Sequence, residues 1–250
     1  YGNDEHLMLV RDVTRVHQLE QMRKDFVANV SHELRTPLTV IAGYLETLLD
    51  NVDAVNPRWR RALQQMQQQD RRMQSLLNDL LLLAKLEATD YPSDNQPVAV
   101  DLLLLSITAD AKVLSGLRNQ HISLEADNRL LLKGSETELR SAFSNLIFNA
   151  IKYTPDEGRI HIRWWADAAG AHLSVHDSGQ GIEAKHLPRL TERFYRVDSS
   201  RAATTGGTGL GLAIVKHVLL RHRARLEISS VVGQGSTFTC HFSLGQSCKR

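Results

Sequence analysis

A histidine followed directly by a glutamate is the first pair of residues in this chain that could do chemistry. It stands in Ser31-His32-Glu33-Leu34-Arg35-Thr36-Pro37-Leu38, inside a stretch with helical apolar spacing. His32 falls between the apolar positions Val30 and Leu34, which places it on or beside the exposed flank of a helix. Glu33 can draw a proton from the imidazole and keep a ring nitrogen nucleophilic. Thr36 lies four residues beyond His32 and shares its face. Pro37 removes a backbone donor in mid-helix and should bend the helix there. A lone helical histidine is ordinarily structural or solvated. A costly kink beside one on an exposed face is hard to explain by stability alone.

A second polar set sits in Asn145-Leu-Ile-Phe-Asn149-Ala-Ile-Lys152-Tyr153. Asn145, Asn149 and Lys152 are spaced by four and three, so they project along one helix stripe. Asparagine oxygens suit a magnesium ion that keeps several waters and binds substrate phosphates, and a lysine suits phosphate as a point charge. Taken alone, the same stripe reads equally well as the solvated face of an amphipathic helix. Glycine clusters follow. Asp177-Ser178-Gly179-Gln180-Gly181-Ile182 comes straight after a strand pattern; it is either a plain turn or a close backbone approach with a carboxylate for a ligand donor. Gly206-Gly207-Thr208-Gly209-Leu210-Gly211-Leu212 runs into a helix, where backbone N–H groups and the helix dipole cradle anions. No Gly-Lys-Ser/Thr follows and no βαβ frame surrounds it, so it is neither a Walker loop nor a dinucleotide fingerprint. Gly233-Gln234-Gly235-Ser236-Thr237-Phe238 turns into the last strand. Each cluster alone is a weak signal. In this order, behind a histidine-bearing helix, they are a strong one.

The elements that must position these groups fall into two kinds. Val27, Val30, Leu34, Leu38, Ile41, Leu45 and Leu48 recur at steps of three and four, predicting a helix over residues 14–50. That helix would be about 55 Å long at ~1.5 Å per residue, too long for one small domain. A second helix is expected from Arg58 to Ala88 after a break at Asn51–Pro57. Two such helices cannot bury both apolar stripes against each other; dimerisation into an antiparallel four-helix bundle would solve this, and a monomeric hairpin packed on the following domain is the alternative. Residues 1–13, with the apolar run Leu7–Val10, read as the remnant of an upstream domain. Residues 89–97 have linker composition. From residue 98 to 245 the texture is mixed: helices at Leu102–Leu117, Ser135–Tyr153 and Leu210–Arg221, and strands at His121–Glu125, Arg159–Ala166, His172–His176, Leu226–Ser230 and Ser236–Ser243. A hairpin is expected at Ala168–Gly170. The fold class is α+β, a two-layer sandwich behind a helical domain.

Composition removes other classes. Among 250 residues the formal net charge is only +2, which implies no nucleic-acid partner. Two cysteines, Cys240 and Cys248, are too few for a disulfide framework and lack zinc-ligand spacing. The most apolar run, Leu76 to Ala84, is interrupted by Asn78 and Asp79, so no membrane contact is expected within this piece.

These motifs resemble the sensor histidine kinases. Phe26–Leu45 is similar to their phosphoacceptor box, Asn145–Tyr153 to their N box, and Glu192–Arg196 to their F box. Asp177–Ile182, Gly207–Leu212 and Gly233–Phe238 are similar to their three glycine boxes. The resemblance spans residues 14–243. It implies a nucleotide-binding domain of the type shared with Hsp90, gyrase B and MutL, binding ATP and Mg2+. It implies that Asn149 holds the metal with Asn145 nearby, that Lys152 meets phosphate, and that Tyr153 lies along the adenine. It implies that Asp177 reads the adenine amino group in a pocket shaped by Gly179, Gly181 and Ile182, and that Arg196 reaches toward the γ-phosphate. Gly207, Thr208, Gly209, Leu210, Gly211, Leu212 and Thr237 complete the implied nucleotide site, under a mobile lid at residues 199–209. His32 would be phosphorylated with help from Glu33, and Thr36 would orient a water for dephosphorylating a partner. The partners implied are a second copy of the chain and the receiver domain of a response regulator. The fragment would lie in the cytoplasm, with a parent protein held in a bacterial inner membrane by an upstream segment. One departure stands out: His222-Arg223-Ala224-Arg225 replaces the His-Gly-Gly turn of many members, which puts the local turn geometry in question. A scaffold that binds ATP without transferring it, and an ATP-driven clamp, are the rival readings; the His32-Glu33 pair argues against both.

Overall fold

The computed structural model describes residue 34 and residues 38–49, 57–88, 96–197 and 208–249. His32, Glu33, Thr36, Gly207, the run Leu7–Val10 and most of the expected lid lie outside the described residues.

Helix α1 covers residues 38–49, and α2 runs Pro57–Ala88. Proline suits the first turn of α2, where its missing N–H costs nothing. Leu38 and Leu45 of α1, and Leu77, Leu83 and Leu86 of α2, are buried. Both helices also carry a second apolar stripe that stays wet. Leu34, Ile41 and Leu48 recur every seven residues, as do Trp59, Met66, Met73 and Leu80, with exposures from 36% to 64%.

Beyond α2 the chain forms β1 (Gln96–Ala99), α3 (Val100–Ser115), β2 (His121–Ala126), β3 (Leu130–Gly134) and α4 (Glu136–Tyr153). It continues through β4 (Arg159–Asp167), β5 (Gly170–Asp177) and a 3-10 helix at Ala184–Arg189. Then come α5 (Gly211–Arg221), β6 (Arg225–Val231), β7 (Gly235–Ser243) and β8 (Ser247–Lys249). Five strands form the main sheet in the order β2-β4-β5-β7-β6. β2 and β4 are parallel and the other pairs antiparallel. Period-2 alternation sets its faces. Ile160, Ile162, Trp164, Leu173, Val175, Phe238 and Phe242 are buried in the core under the helices. His161, His176 and Thr237 stand on the opposite face, where His176 Nδ1 lies 2.9 Å from Thr237 Oγ1. The hairpin between β4 and β5 falls where expected. Asp167 Oδ1 accepts from Ala169 N–H at 2.7 Å, and at Gly170 an added Cβ would meet Phe242 O at 1.9 Å.

A second sheet, β1-β3-β8, has no counterpart in the sequence reading. Gln96 and Pro97 belong to β1 rather than to a linker, because β1 is an edge strand and needs no donor from proline on its open side. β8 pairs with β3, so the strand framework continues past residue 245 to Lys249. Buried Trp164 joins the two sheets, its Nε1–H donating to Leu130 O at 3.4 Å. The turn at His222 forms without glycine. His222 is fully buried; its Nδ1–H donates to Val218 O at 2.8 Å, and Nε2 accepts from Ser135 N–H at 3.3 Å. Arg223 takes the left-handed conformation, φ 48°, that glycine would adopt freely.

Candidate nucleotide site

α4, the end of β5 and the start of α5 converge on one side of the helical layer. The polar stripe of α4 is as expected. Asn145 Nδ2 donates to Ser141 O at 2.9 Å, leaving Oδ1 turned to Gly211, where an added Cβ would stand 2.4 Å away. The glycine thus lets the N-terminus of α5 close on α4 at the level of Asn145. Asn149 and Lys152 are half-buried further along α4. The Lys152 ammonium stands 5.0 Å from the centre of the Tyr153 ring. Its pKa is pushed down to about 8, first by burial, then by the charges of Arg196 and of Arg72. Burial raises the Tyr153 phenol, and Arg196 acts against it. Lys152, Tyr153 and Arg196 therefore share one neighbourhood, although Arg196 is 43 or more residues away in sequence.

Asp177 closes the other end. It is buried, its Oδ1 accepts from Gly179 N–H at 2.8 Å, and burial raises its pKa against that hydrogen bond. At Gly179 a Cβ would meet both Asp177 Oδ1 and Tyr153 O at 2.6 Å, so only glycine lets this turn lie against α4. Gly181 has φ 69°, and a Cβ there would meet Val231 O at 2.1 Å. Ile182 N–H donates to Ser230 Oγ at 2.8 Å, which ties the turn to β6. At the entrance to α5, Thr208 Oγ1 accepts from Leu210 N–H at 3.2 Å. Gly209 O accepts from Phe194 N–H at 2.9 Å, and Gly209 has φ 75°. Leu210 is buried, whereas Gly211 and Leu212 are half-buried.

Thr237 is not brought together with these residues. It pairs with His176 on the sheet's other face, while its neighbour Ser236 is buried directly across the strands from Asp177. Alternation along β7 decides this: the inward positions are Ser236, Phe238 and Cys240. Sequence reading also missed Asp79, which had registered only as an interruption of a leucine run. Its Oδ2 accepts from Thr208 Oγ1 at 3.0 Å. A lone carboxylate among leucines was the available signal. Among the described residues no three His, Cys, Asp or Glu side chains gather as a metal cage. A divalent cation here would rest on the Asn149 oxygen, waters and ligand phosphates, which suits magnesium.

Two family models match in tandem. Residues 22–89 match the His Kinase A (phospho-acceptor) domain, and residues 134–246 match the histidine kinase-, DNA gyrase B- and HSP90-like ATPase family. The chain belongs to the sensor histidine kinases. Among curated relatives of this kinase is the phosphate regulon sensor protein PhoR of Pseudomonas aeruginosa, 81% identical over 98% of the chain and 56% of that protein. PhoR of Haemophilus influenzae is 43% identical over 96% of the chain and 56% of its own length. The kinase chain thus spans just over half the length of these relatives. Among solved structures, full-length ShkA in complex with AMPPNP superposes with a TM-score of 0.72 at 26% identity, covering 89% of this chain and 46% of that one. Acinetobacter baumannii AdeS superposes at 0.61 with 21% identity, covering 86% of this chain and 98% of that one, a likeness of fold.

Proposed function

We propose that this chain is the catalytic core of a sensor kinase that phosphorylates its own His32 from ATP and Mg2+. The observation that carries the proposal is the gathering of Asn149, Lys152 and Arg196 near the end of α4, against which the turn of buried Asp177 also lies. The distribution of charge matches a nucleotide: a carboxylate for the amino edge of the base, cations for the phosphates. Asp177 accepts a hydrogen bond from the base, and Gly179 and Gly181 let the backbone approach it. The start of α5 offers backbone N–H groups to the phosphate chain. Asn149 offers an oxygen to the metal, which when bound neutralises phosphate charge. Lys152 and Arg196 draw charge from the terminal phosphate, and such positioning and neutralisation supply most of the catalysis in phosphoryl transfer. The His32 lone pair forms the N–P bond as the bond to the ADP oxygen breaks, and Glu33 takes the proton from the other ring nitrogen.

The phosphoryl group then passes to an aspartate on a receiver domain. The 81% identity to a PhoR supports a PhoB-like regulator and signalling of phosphate supply. Thr36 orients a water that returns the regulator to its unphosphorylated state. The wet heptad stripes of α1 and α2 support a homodimeric four-helix bundle. Among the described residues no helix is long and apolar enough to cross a membrane. The chain spans 56% of each PhoR relative, and the remainder of such a protein leaves room for an anchor in the bacterial inner membrane, with this part in the cytoplasm.

Incubation with γ-labelled ATP tests the proposal. The protein should gain alkali-stable, acid-labile label, and His32→Ala should lose it while still binding nucleotide. Label retained on that variant, or nucleotide binding with no label on the natural sequence, would refute it.

A further inference from the structure

Lys152 and Arg196 both belong to the nucleotide domain, but a third cation comes from the helical domain. Arg72 stands on α2 seven residues before Asp79, two turns away on the same face. That face is fastened to the nucleotide domain. Asp79 takes the hydroxyl hydrogen bond of Thr208 at 3.0 Å, directly ahead of α5. Leu83 and Leu86 are buried at 1% and 4% exposure within the same apolar core as α4 and α5. Glu87 pairs with Arg193 and, at 3.3 Å, with His217 of α5. With its C-terminal turns held in this way, α2 places Arg72 two turns beyond the Asp79–Thr208 contact, within reach of the end of α4 that bears Lys152. There its charge reaches Lys152, adding to that of Arg196.

Bringing three cations together is unfavourable in the absence of an anion, and each added negative charge at that end relieves more of the repulsion. A triphosphate extends further from the base than a diphosphate and carries more negative charge. We propose that Arg72 positions the terminal phosphate of ATP, so that discrimination between ATP and ADP depends on α2 being seated against the nucleotide domain. The inference rests on the nucleotide-site reading above. It assigns to the phosphoacceptor domain a part in sensing which nucleotide is bound.

The test is calorimetric titration of the full chain, in magnesium, with a non-hydrolysable ATP analogue and separately with ADP. Arg72→Gln should weaken the analogue about tenfold, as for loss of one charge-assisted contact. ADP affinity should stay within about twofold, and Arg72→Lys should keep most of the preference. The double variant Asp79→Ala, Glu87→Ala alters none of the three cations, Arg72, Lys152 and Arg196, yet should also narrow the analogue-to-ADP ratio. Equal loss for both ligands in Arg72→Gln would show a merely structural role, and an unchanged ratio would show that Arg72 does not reach the phosphate; either overturns the inference while leaving the nucleotide site standing. If the natural sequence bound neither ligand, the site reading itself would fall, and the inference with it.

Discussion

Lys152 shows how far one side chain's chemistry is set by its neighbours. Its ordinary pKa of 10.5 falls to about 8, chiefly through burial and then through Arg196 and Arg72. A lowered lysine pKa means that the neutral form gains ground as pH rises through that value, and neutral lysine attracts no phosphate. ATP affinity should therefore hold below pH 8 and decline above it, well before an ordinary lysine would titrate. Lys152→Arg should flatten the decline, because guanidinium stays charged throughout. Nucleotide titrations between pH 7 and pH 9.5 check this; parallel curves for the two proteins would count against it. Ser236 and Thr237 differ through their surroundings in the same way. Both carry hydroxyls in the same glycine-led strand, and only the strand's alternation sends one toward Asp177 and the other to the far face.

The end of α5 shows the same dependence at the scale of an element. The helix stops at Arg221, and His222 ties its end to the start of α4. His222 accepts from Ser135 N–H, and Gly134 makes room for the ring, since a Cβ there would stand 2.4 Å from His222 Nε2. Arg223 then reverses the chain with φ 48°. A non-glycine residue in that conformation carries a cost of about 1 kcal/mol or more. Arg223→Gly removes the strain but adds freedom to the unfolded chain, leaving a net gain of about 0.5–1 kcal/mol. Thermal or urea denaturation should show a small rise in stability with kinase activity unchanged. A fall would mean that the exposed arginine contributes contacts outweighing its backbone strain.

At the scale of the molecule, two apolar stripes remain without cover. Leu34, Ile41 and Leu48 on one side, and Trp59, Met66, Met73 and Leu80 on the other, repeat every seven residues on helices that already bury a different face. Sustained heptads of this kind are what a partner helix pair buries. The full chain should sediment as a dimer at micromolar concentration. Met66→Lys with Met73→Lys should shift it to monomer while leaving ADP binding intact, because both side chains belong to the exposed stripe of α2 and not to the Arg72–Asp79 row. A natural-sequence chain that stays monomeric would refute the bundle. The packing of α2 on α5 adds that the two domains are joined by buried leucines and ion pairs, not by the linker alone.

Local conformation carried by spacing was legible in the sequence. The Asn145–Asn149–Lys152 stripe, the glycines of the Asp177 turn and the glycine entry to α5 each follow from helix period or from the absence of a Cβ, and α4, β4, β5 and α5 lie within a few residues of their expected ends. What spacing could not convey was anything decided by pairing across long separations. The small sheet of β1, β3 and β8 joins residues 96, 134 and 249, and its strands are too short for alternation to register. The inward choice of Ser236 depends on register with β5. The links from Asp79 to Thr208 and from Glu87 to Arg193 span more than a hundred residues, and Arg72 bears on the charge of Lys152 from 80 residues away. Local pattern reports a residue's conformation and face, while the burial and the neighbouring charges that set its pKa exist only once distant segments have been brought together.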